Sequence, residues 1–345
     1  MGDPEDWHFW GIYDGHGGWA TSVLLRRTLI PSVVHKIKQT LNEGMTGGSS
    51  SIYDAIQSAF IQMDNRISNE ALEAMDMAMD LEGYTKIAFS RAAPARSGSC
   101  ALLAVYDPNQ CMLRIASVGD SRAVLGRRKG KNNRFALILS TDHNGFNRSE
   151  YDRIMNEHPG ETGVINQNSG RLFNLAMTRA FGDHRYKWSM DTLNRCYERF
   201  LWSPPPADYL SPPYLTADPE ITTMLVRDGD FLILASDGFW DNVSNDDAVQ
   251  FVRHWIHRYP SELLPTSDAE EERGLTRSYR FSPKDYAVED DNVATHLARN
   301  ALGGGNSEIF ETFMSMRAPD AKLYRDDFTI QVIFFGFHPE DERLE

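Results

Sequence analysis

Apolar positions along this chain recur in two rhythms, one helical and one of short unbroken runs. From Ser51 onward, Ile52, Ile56, Ala59, Phe60, Met63 and Ile67 fall on one face at helical spacing, which predicts a helix with a buried stripe. Helical spacing also covers Leu24 to Leu41, and Pro31 predicts a break there, because proline donates no amide hydrogen and crowds the preceding turn. Further helices are predicted over Arg148–Glu157, Asp246–Ile256 and Asn292–Leu302, the last stopped by Gly303-Gly304-Gly305. The second rhythm predicts strands at Phe9–Tyr13, Cys100–Tyr106, Met112–Val118, Ala123–Gly126, Phe135–Leu139, Thr223–Val226, Phe231–Ser236 and Phe328–Phe337. The four from Cys100 to Leu139 read as an antiparallel meander, and Asp228-Gly229 as a hairpin turn between the next two. Residues 70 to 98 are less regular. So are 184 to 213, a stretch long enough to be functional. Residues 262 to 290 read as a charged surface insertion. Strands in consecutive runs beside helices, without strict alternation, predict an α+β fold.

Composition narrows the function classes. With 345 residues, 41% of them hydrophobic, the chain can bury the core of one large domain or two ordinary ones. A formal net charge of −14 argues against nucleic acid or an anionic membrane as partner, and it permits a cation site built from carboxylates. The basic run from Arg127 to Arg134 reads as a solvated hairpin tip. Cys100, Cys111 and Cys196 show no metal spacing and an odd count, which fits free, mostly buried thiols in a reducing compartment. No run approaches the roughly 18 apolar residues of a membrane span. The acidic N-terminus has neither a signal peptide nor a transit segment, and Asp6 breaks the myristoylation pattern that Gly2 begins.

Candidate chemistry gathers at strand ends. The aromatic run Phe9–Tyr13 stops at Asp14, and Gly15-His16-Gly17-Gly18 follows before a helical pattern starts near Trp19. Glycines allow a tight turn there, and a carboxylate beside backbone carbonyls is a start for a hard-cation site. Asp120 follows Ile115–Val118, Asp237 follows Phe231–Ser236, and Asp326-Asp327 precedes Phe328. Each alone is an ordinary turn residue. Gathered at one sheet edge, they would repel one another unless a cation neutralised them, and oxygen donors select Mg²⁺ or Mn²⁺ over zinc.

The motifs Asp14-Gly15-His16-Gly17-Gly18, Ser97-Gly98-Ser99-Cys100-Ala101, Val118-Gly119-Asp120-Ser121-Arg122-Ala123, Ser140-Thr141-Asp142-His143, Thr178-Arg179-Ala180-Phe181-Gly182-Asp183, Ala235-Ser236-Asp237-Gly238 and Arg325-Asp326-Asp327 follow in that order. Together they resemble the metal-dependent protein serine/threonine phosphatases of the PPM, or type-2C, family, over nearly the whole chain. Lys187-Trp188-Ser189, Pro212-Pro213-Tyr214-Leu215-Thr216-Ala217 and the helix around His296 resemble the pyruvate dehydrogenase phosphatase subgroup. The resemblance implies a four-layer α-β-β-α sandwich with two central, mostly antiparallel sheets. It implies a single domain over residues 1–338, with 184–213 as a flap-like insertion and 339–345 as an acidic tail. It also implies two ions, Mg²⁺ or Mn²⁺. Asp14 would bridge them, the Gly15 carbonyl would bind one, and Asp237 and Asp326 would complete the other. Asp120 would sit near a third, weaker cation position, and His16 would protonate the departing serine or threonine oxygen. The implied partner is a phosphoprotein such as a pyruvate dehydrogenase-like complex. The implied location is the mitochondrial matrix, with the cytoplasm as the alternative.

One departure from the family pattern shapes the expectation. The family carries a phosphate-gripping arginine and an acidic metal ligand on strands before its Asp-Gly-His motif. Glu5 and Asp6 lie too close to Asp14 to occupy such a strand, and Arg26 and Arg27 come after it, on a helix, as surface charges. The expectation is an N-terminally truncated member with reduced or absent activity. The competing function class is a catalytically weak or inactive phosphatase-like binding scaffold.

Overall fold

A computed structural model describes residues 4–42, 49–80, 85–129, 133–200, 202–257 and 287–336. The chain divides into two compact units, Met1–Ser121 with Ser140–Leu225, and Arg122–Leu139 with Val226–Glu345.

The first unit holds a four-stranded antiparallel sheet in the order His8–Ile12, Ala101–Asp107, Met112–Val118 and Glu220–Leu225. Ala101, Leu103, Val105, Ala116 and Val118 join one apolar core with residues from three long helices. In the helix Ala20–Asn42, Leu25, Leu29, Val33 and Ile37 are all buried, and the helix runs unbroken through Pro31. The expected break is absent because burial outweighs it. An internal proline costs about 3 kcal/mol, whereas each buried aliphatic side chain on the flanking stripe contributes roughly 1.5–3 kcal/mol. The predicted stripe Ile52, Ile56, Ala59, Phe60, Met63 and Ile67 is buried on the helix Ser49–Asp80.

Residues 70 to 98 are more regular than their sequence suggests. That helix continues through buried Ala71, Ala74 and Met75, and a further helix, Thr85–Arg96, buries Ala88, Ala92 and Ala95. Alanine carries little hydrophobic signal yet has the highest helix propensity, so close helix packing escaped the pattern reading. The stretch 184–213 likewise contains a 3₁₀ turn, His184–Tyr186, and a helix, Met190–Phe200, with Leu193, Cys196 and Phe200 buried. Most of its aromatics are core, Tyr197 being exposed: Trp188 stacks on Trp202 at 5.2 Å, and the Tyr209 hydroxyl donates to the Trp188 carbonyl at 2.7 Å.

The second unit holds another four-stranded antiparallel sheet, in the order Ile330–Phe334, Phe231–Ala235, Arg122–Lys129 and Asn133–Ile138. Helices Asn245–His257 and Val293–Ala301 bury Val249, Val252 and Leu297 in a core with Val124, Ile233 and Ala235.

Three sequence expectations are corrected here. The four-strand meander is two hairpins in different sheets, separated at Gly119, whose φ of +105° ends the first sheet's strand. Asp228-Gly229 does not close a hairpin, because Glu220–Leu225 pairs with Met112–Val118 and Phe231–Ala235 pairs with Arg122–Lys129. A turn dipeptide reports a local bend and says nothing about which strands pair across it. Finally, the basic run is only partly solvated: Arg127 is buried against Asp230 at 2.7 Å, and Arg134 is buried over the Phe231 ring. The charged insertion at 262–290 and the acidic tail 339–345 lie outside the described residues. No described helix is long and apolar enough to cross a membrane, and Cys100, Cys111 and Cys196 are all free, with Cys111 exposed.

Candidate functional site

In the first unit, three strand ends meet at one sheet edge. His8–Ile12 pairs with Ala101–Asp107, which pairs with Met112–Val118, so Asp14, Cys100 and Asp120 come side by side. The Asp14 carbonyl accepts from the Cys100 amide at 2.8 Å, and the Cys100 thiol donates to Asp120 Oδ1 at 3.1 Å. Burial, with the charge of Asp120 next, pushes the Cys100 thiol well up, so it stays a protonated donor. His143, fully buried, locks the turn before Asp120. Its Nδ1 accepts from the Gly119 amide at 3.2 Å, its own amide donates to the Gly119 carbonyl at 3.0 Å, and its Nε2 faces Glu220 Oε2 at 3.1 Å.

Beside this edge lies a three-stranded ribbon of two-residue strands: Phe181–Gly182, Gly98–Ser99 and Gly15–His16, with Gly98–Ser99 central. In its register Gly182 and His16 flank Gly98. The half-buried His16 ring meets the buried Asp183 carboxylate through Nε2. Burial alone would lower the His16 pKa. The hydrogen bond and charge of Asp183, then the charges of Asp120 and Asp14, more than offset this and raise it.

In the second unit, Asp237 and Asp326 also come together. Ala235 pairs with Ile330 across the sheet, so the end of one strand and the start of the other share an edge. Ser236 ties the two loops: its amide donates to the Thr329 carbonyl, its hydroxyl donates to the Asp327 carbonyl, and it accepts from the Thr329 amide, each at 3.1 Å. A Cβ on Gly238 would lie 2.5 Å from the Asp327 carbonyl oxygen and 3.2 Å from the Asp326 Cβ, so the close approach of these loops requires glycine. Asp237 is half-buried and Asp326 exposed.

The sequence pattern suggests that Asp14, Asp120, Asp237 and Asp326 gather at the edge of one sheet; the structure instead divides them, with Asp14, Gly15, His16 and Asp120 at an edge in the first unit and Asp237 and Asp326 at the edge of a different sheet in the second. Arg26 and Arg27 are exposed, as expected. Sequence reasoning missed Asp183, read only as part of a motif, and the roles of Cys100 and His143. It also missed a buried anchor. Glu150, 1% exposed, receives Arg179 at 2.6 Å, Arg153 at 2.9 Å and the Thr178 hydroxyl at 2.7 Å. Burial alone would raise its pKa, yet the two guanidiniums hold the Glu150 carboxyl far below the usual carboxylate range.

The donor chemistry at both edges suits a hard divalent cation, being carboxylate oxygen with the Gly15 backbone nearby. No group of three or more His, Cys, Asp or Glu side chains forms a ready ligand cage among the described residues.

These features define a mixed α+β protein of several antiparallel sheets whose strand ends carry acidic side chains and a carboxylate-paired histidine. The family model described as protein phosphatase 2C matches residues 1–272, and the chain belongs to that family of protein serine/threonine phosphatases. It is 38% identical over 339 residues to a protein phosphatase 2C homolog of Schizosaccharomyces pombe, covering 96% of this chain and 74% of that one. It is 34% identical over 363 residues to the mitochondrial [pyruvate dehydrogenase [acetyl-transferring]]-phosphatase 1 of Saccharomyces cerevisiae, covering 96% of this chain and 62% of the relative. The chain thus spans less than two thirds of that relative's length. A solved structure described as a C. elegans sex determining protein shares the fold, with a TM-score of 0.52 at 18% identity, over 97% of this chain and 58% of that one.

Proposed function

We propose that this chain hydrolyses phosphoserine and phosphothreonine in proteins with the help of Mg²⁺ or Mn²⁺. Asp14 and the Gly15 carbonyl in the first unit, and Asp237 and Asp326 in the second, are the assigned ligands for two ions, with Asp120 at a third, weaker position. Bound divalent cations supply Lewis-acid activation of a water and positive charge facing the phosphoryl oxygens. The chain's own residues then manage the leaving group. As the phosphorus–oxygen bond breaks and water's oxygen takes its place on phosphorus, His16 gives a proton to the departing alkoxide and recovers one from solvent. Proton donation of this kind is typically worth about 10²–10⁴ in rate. The observation that carries this reading is the carboxylate-backed His16, set beside Asp14 and Asp120 at one sheet edge.

The names of the relatives support a finer reading, in which the substrate is a dehydrogenase complex in the mitochondrial matrix. The four-layer sandwich, the single domain over residues 1–338 and a substrate-selecting role for 184–213 belong to the same proposal. The test is hydrolysis of a phosphothreonine peptide with millimolar Mn²⁺, with and without EDTA. Turnover that chelation abolishes is the expected result. No turnover at any Mn²⁺ concentration would favour the binding-scaffold alternative.

A further inference from the structure

The proton donor needs a fixed orientation, and the structure around His16 supplies one. We propose that Asp183 is a positioning residue for His16: it holds the ring through Nε2 and thereby assigns proton delivery to Nδ1. The inference rests on the phosphatase reading above and adds to it a residue whose role the sequence did not reveal.

Four observations carry it. Asp183 directly follows the outer strand Phe181–Gly182, and its amide donates at 2.9 Å to the carbonyl of Ser97, the residue leading into the central strand Gly98–Ser99 that pairs with His16. A Cβ on Gly98 would collide with both Asp183 Oδ2 and His16 Nε2; the pair occupies the space that the missing side chain leaves. Asp183 holds a left-handed backbone with φ of 48°, sparsely populated for a non-glycine residue. It also stands where a helix-capping aspartate would stand, before the turn His184–Tyr186, yet its side chain makes no capping hydrogen bond. The carboxylate is committed to His16 instead.

The strand that carries Asp183 is itself anchored. The buried Asp64 accepts from the Gly182 amide at 2.9 Å and from Lys187 Nζ at 2.6 Å, and Lys187 also donates to the Ala180 carbonyl at 2.8 Å. A carboxylate that holds the far nitrogen of a working imidazole sets its tautomer and direction, and where such an imidazole binds a metal, loss of its partner typically costs about 10–100-fold in affinity or activity.

The test compares Asp183→Asn with the wild type on two esters in Mn²⁺. p-Nitrophenyl phosphate releases a phenolate that needs little protonation, whereas a phosphothreonine peptide releases an alkoxide that does. The expected kcat loss on the peptide is about 100-fold, and at least about ten-fold greater than the loss on the aryl ester. Equal losses on both esters, or a loss confined to KM, overturn the proposal. A second readout needs neither turnover nor metal. In ¹⁵N-labelled, metal-free full chain, with His16 assigned through His16→Gln, Nε2 should carry the hydrogen-bonded proton. A bare Nε2 in the wild type overturns the proposal even if Asp183→Asn fails to fold. Should the wild type hydrolyse neither ester, the phosphatase reading fails while the imidazole spectrum still decides the Asp183–His16 pair.

Discussion

The two acidic sheet edges are built differently. In the first unit Asp120 is 9% exposed and held by a buried thiol, and Asp183 is 7% exposed and turned onto His16 over a glycine. In the second unit Asp326 is exposed, and its Oδ1 takes the amide of Asp327, its immediate neighbour, at 2.8 Å. What is buried around the second edge is backbone-directed: Ser236 joins the two loops and touches neither carboxylate. The contrast matches two kinds of work. A proton donor must point in one direction and needs a surround that fixes it. A carboxylate that is to meet a cation needs accessible oxygens on a loop of fixed position.

The largest effect is expected where the second edge loses a charge. Asp237→Asn should lower turnover of a phosphothreonine peptide by about a thousand-fold or more, because a neutral amide replaces an assigned cation ligand. Its melting temperature without metal should barely move, while the rise produced by saturating Mn²⁺ in the wild type should shrink. An unchanged rate, or an unchanged response to Mn²⁺, would remove the second edge from the chemistry and end the comparison.

Next comes the anchor beneath the first edge. Glu150→Ala leaves the half-buried Arg179 without the buried carboxylate that holds it, at an expected cost of about 3 kcal/mol in denaturant unfolding. Glu150→Gln reads the pH dependence. The folded carboxyl lies below its ordinary value of 4.5, so its stabilisation is complete above that pH and fades as pH falls further. Burial pushes His184 down from 6.5 to about 4, and charging it removes stability between those values. The Glu150 contribution is therefore the difference between wild type and Glu150→Gln, which should be largest near neutrality and narrow below pH 4.5. A difference that stays constant down to pH 3 would mean that the carboxylate's charge does not anchor this unit.

Much of the frame was legible because its signals are local. The helix Arg148–Glu157 could be read to the residue, with Asn147 capping the Ser149 amide and Glu150 in its first turn, and so could the strand Met112–Val118. The strand-end aspartates stood out because turns punctuate strands. What stayed hidden depends on distant partners. His16 and Asp183 lie 167 positions apart, and nothing near either one announces the other. Pro31 misled because the buried stripe that overrides it is tertiary, and Asp228-Gly229 misled because strand pairing is. Cys100 looked like a bland buried thiol, and only the register of three strands puts it against Asp120.

The smallest predicted effects separate the two edges most finely. Cys100→Ala removes the thiol that Asp120 Oδ1 accepts from and leaves a small void, for about 1–2 kcal/mol of stability. Ser236→Ala removes a hydroxyl that joins two loop backbones, for a loss of about 1 kcal/mol. The stability losses are similar, but their consequences for turnover should diverge. The thiol touches a carboxylate of the site, so Cys100→Ala should lower the rate several-fold and Cys100→Ser, which keeps a donor, should recover most of it. Ser236→Ala touches backbone alone, and its rate at a temperature well below melting should stay within about two-fold of wild type. If Ser236→Ala proves the more damaging to turnover, the second edge is the one that depends on a fixed surround, and the assignment of rigid and accessible roles must be reversed.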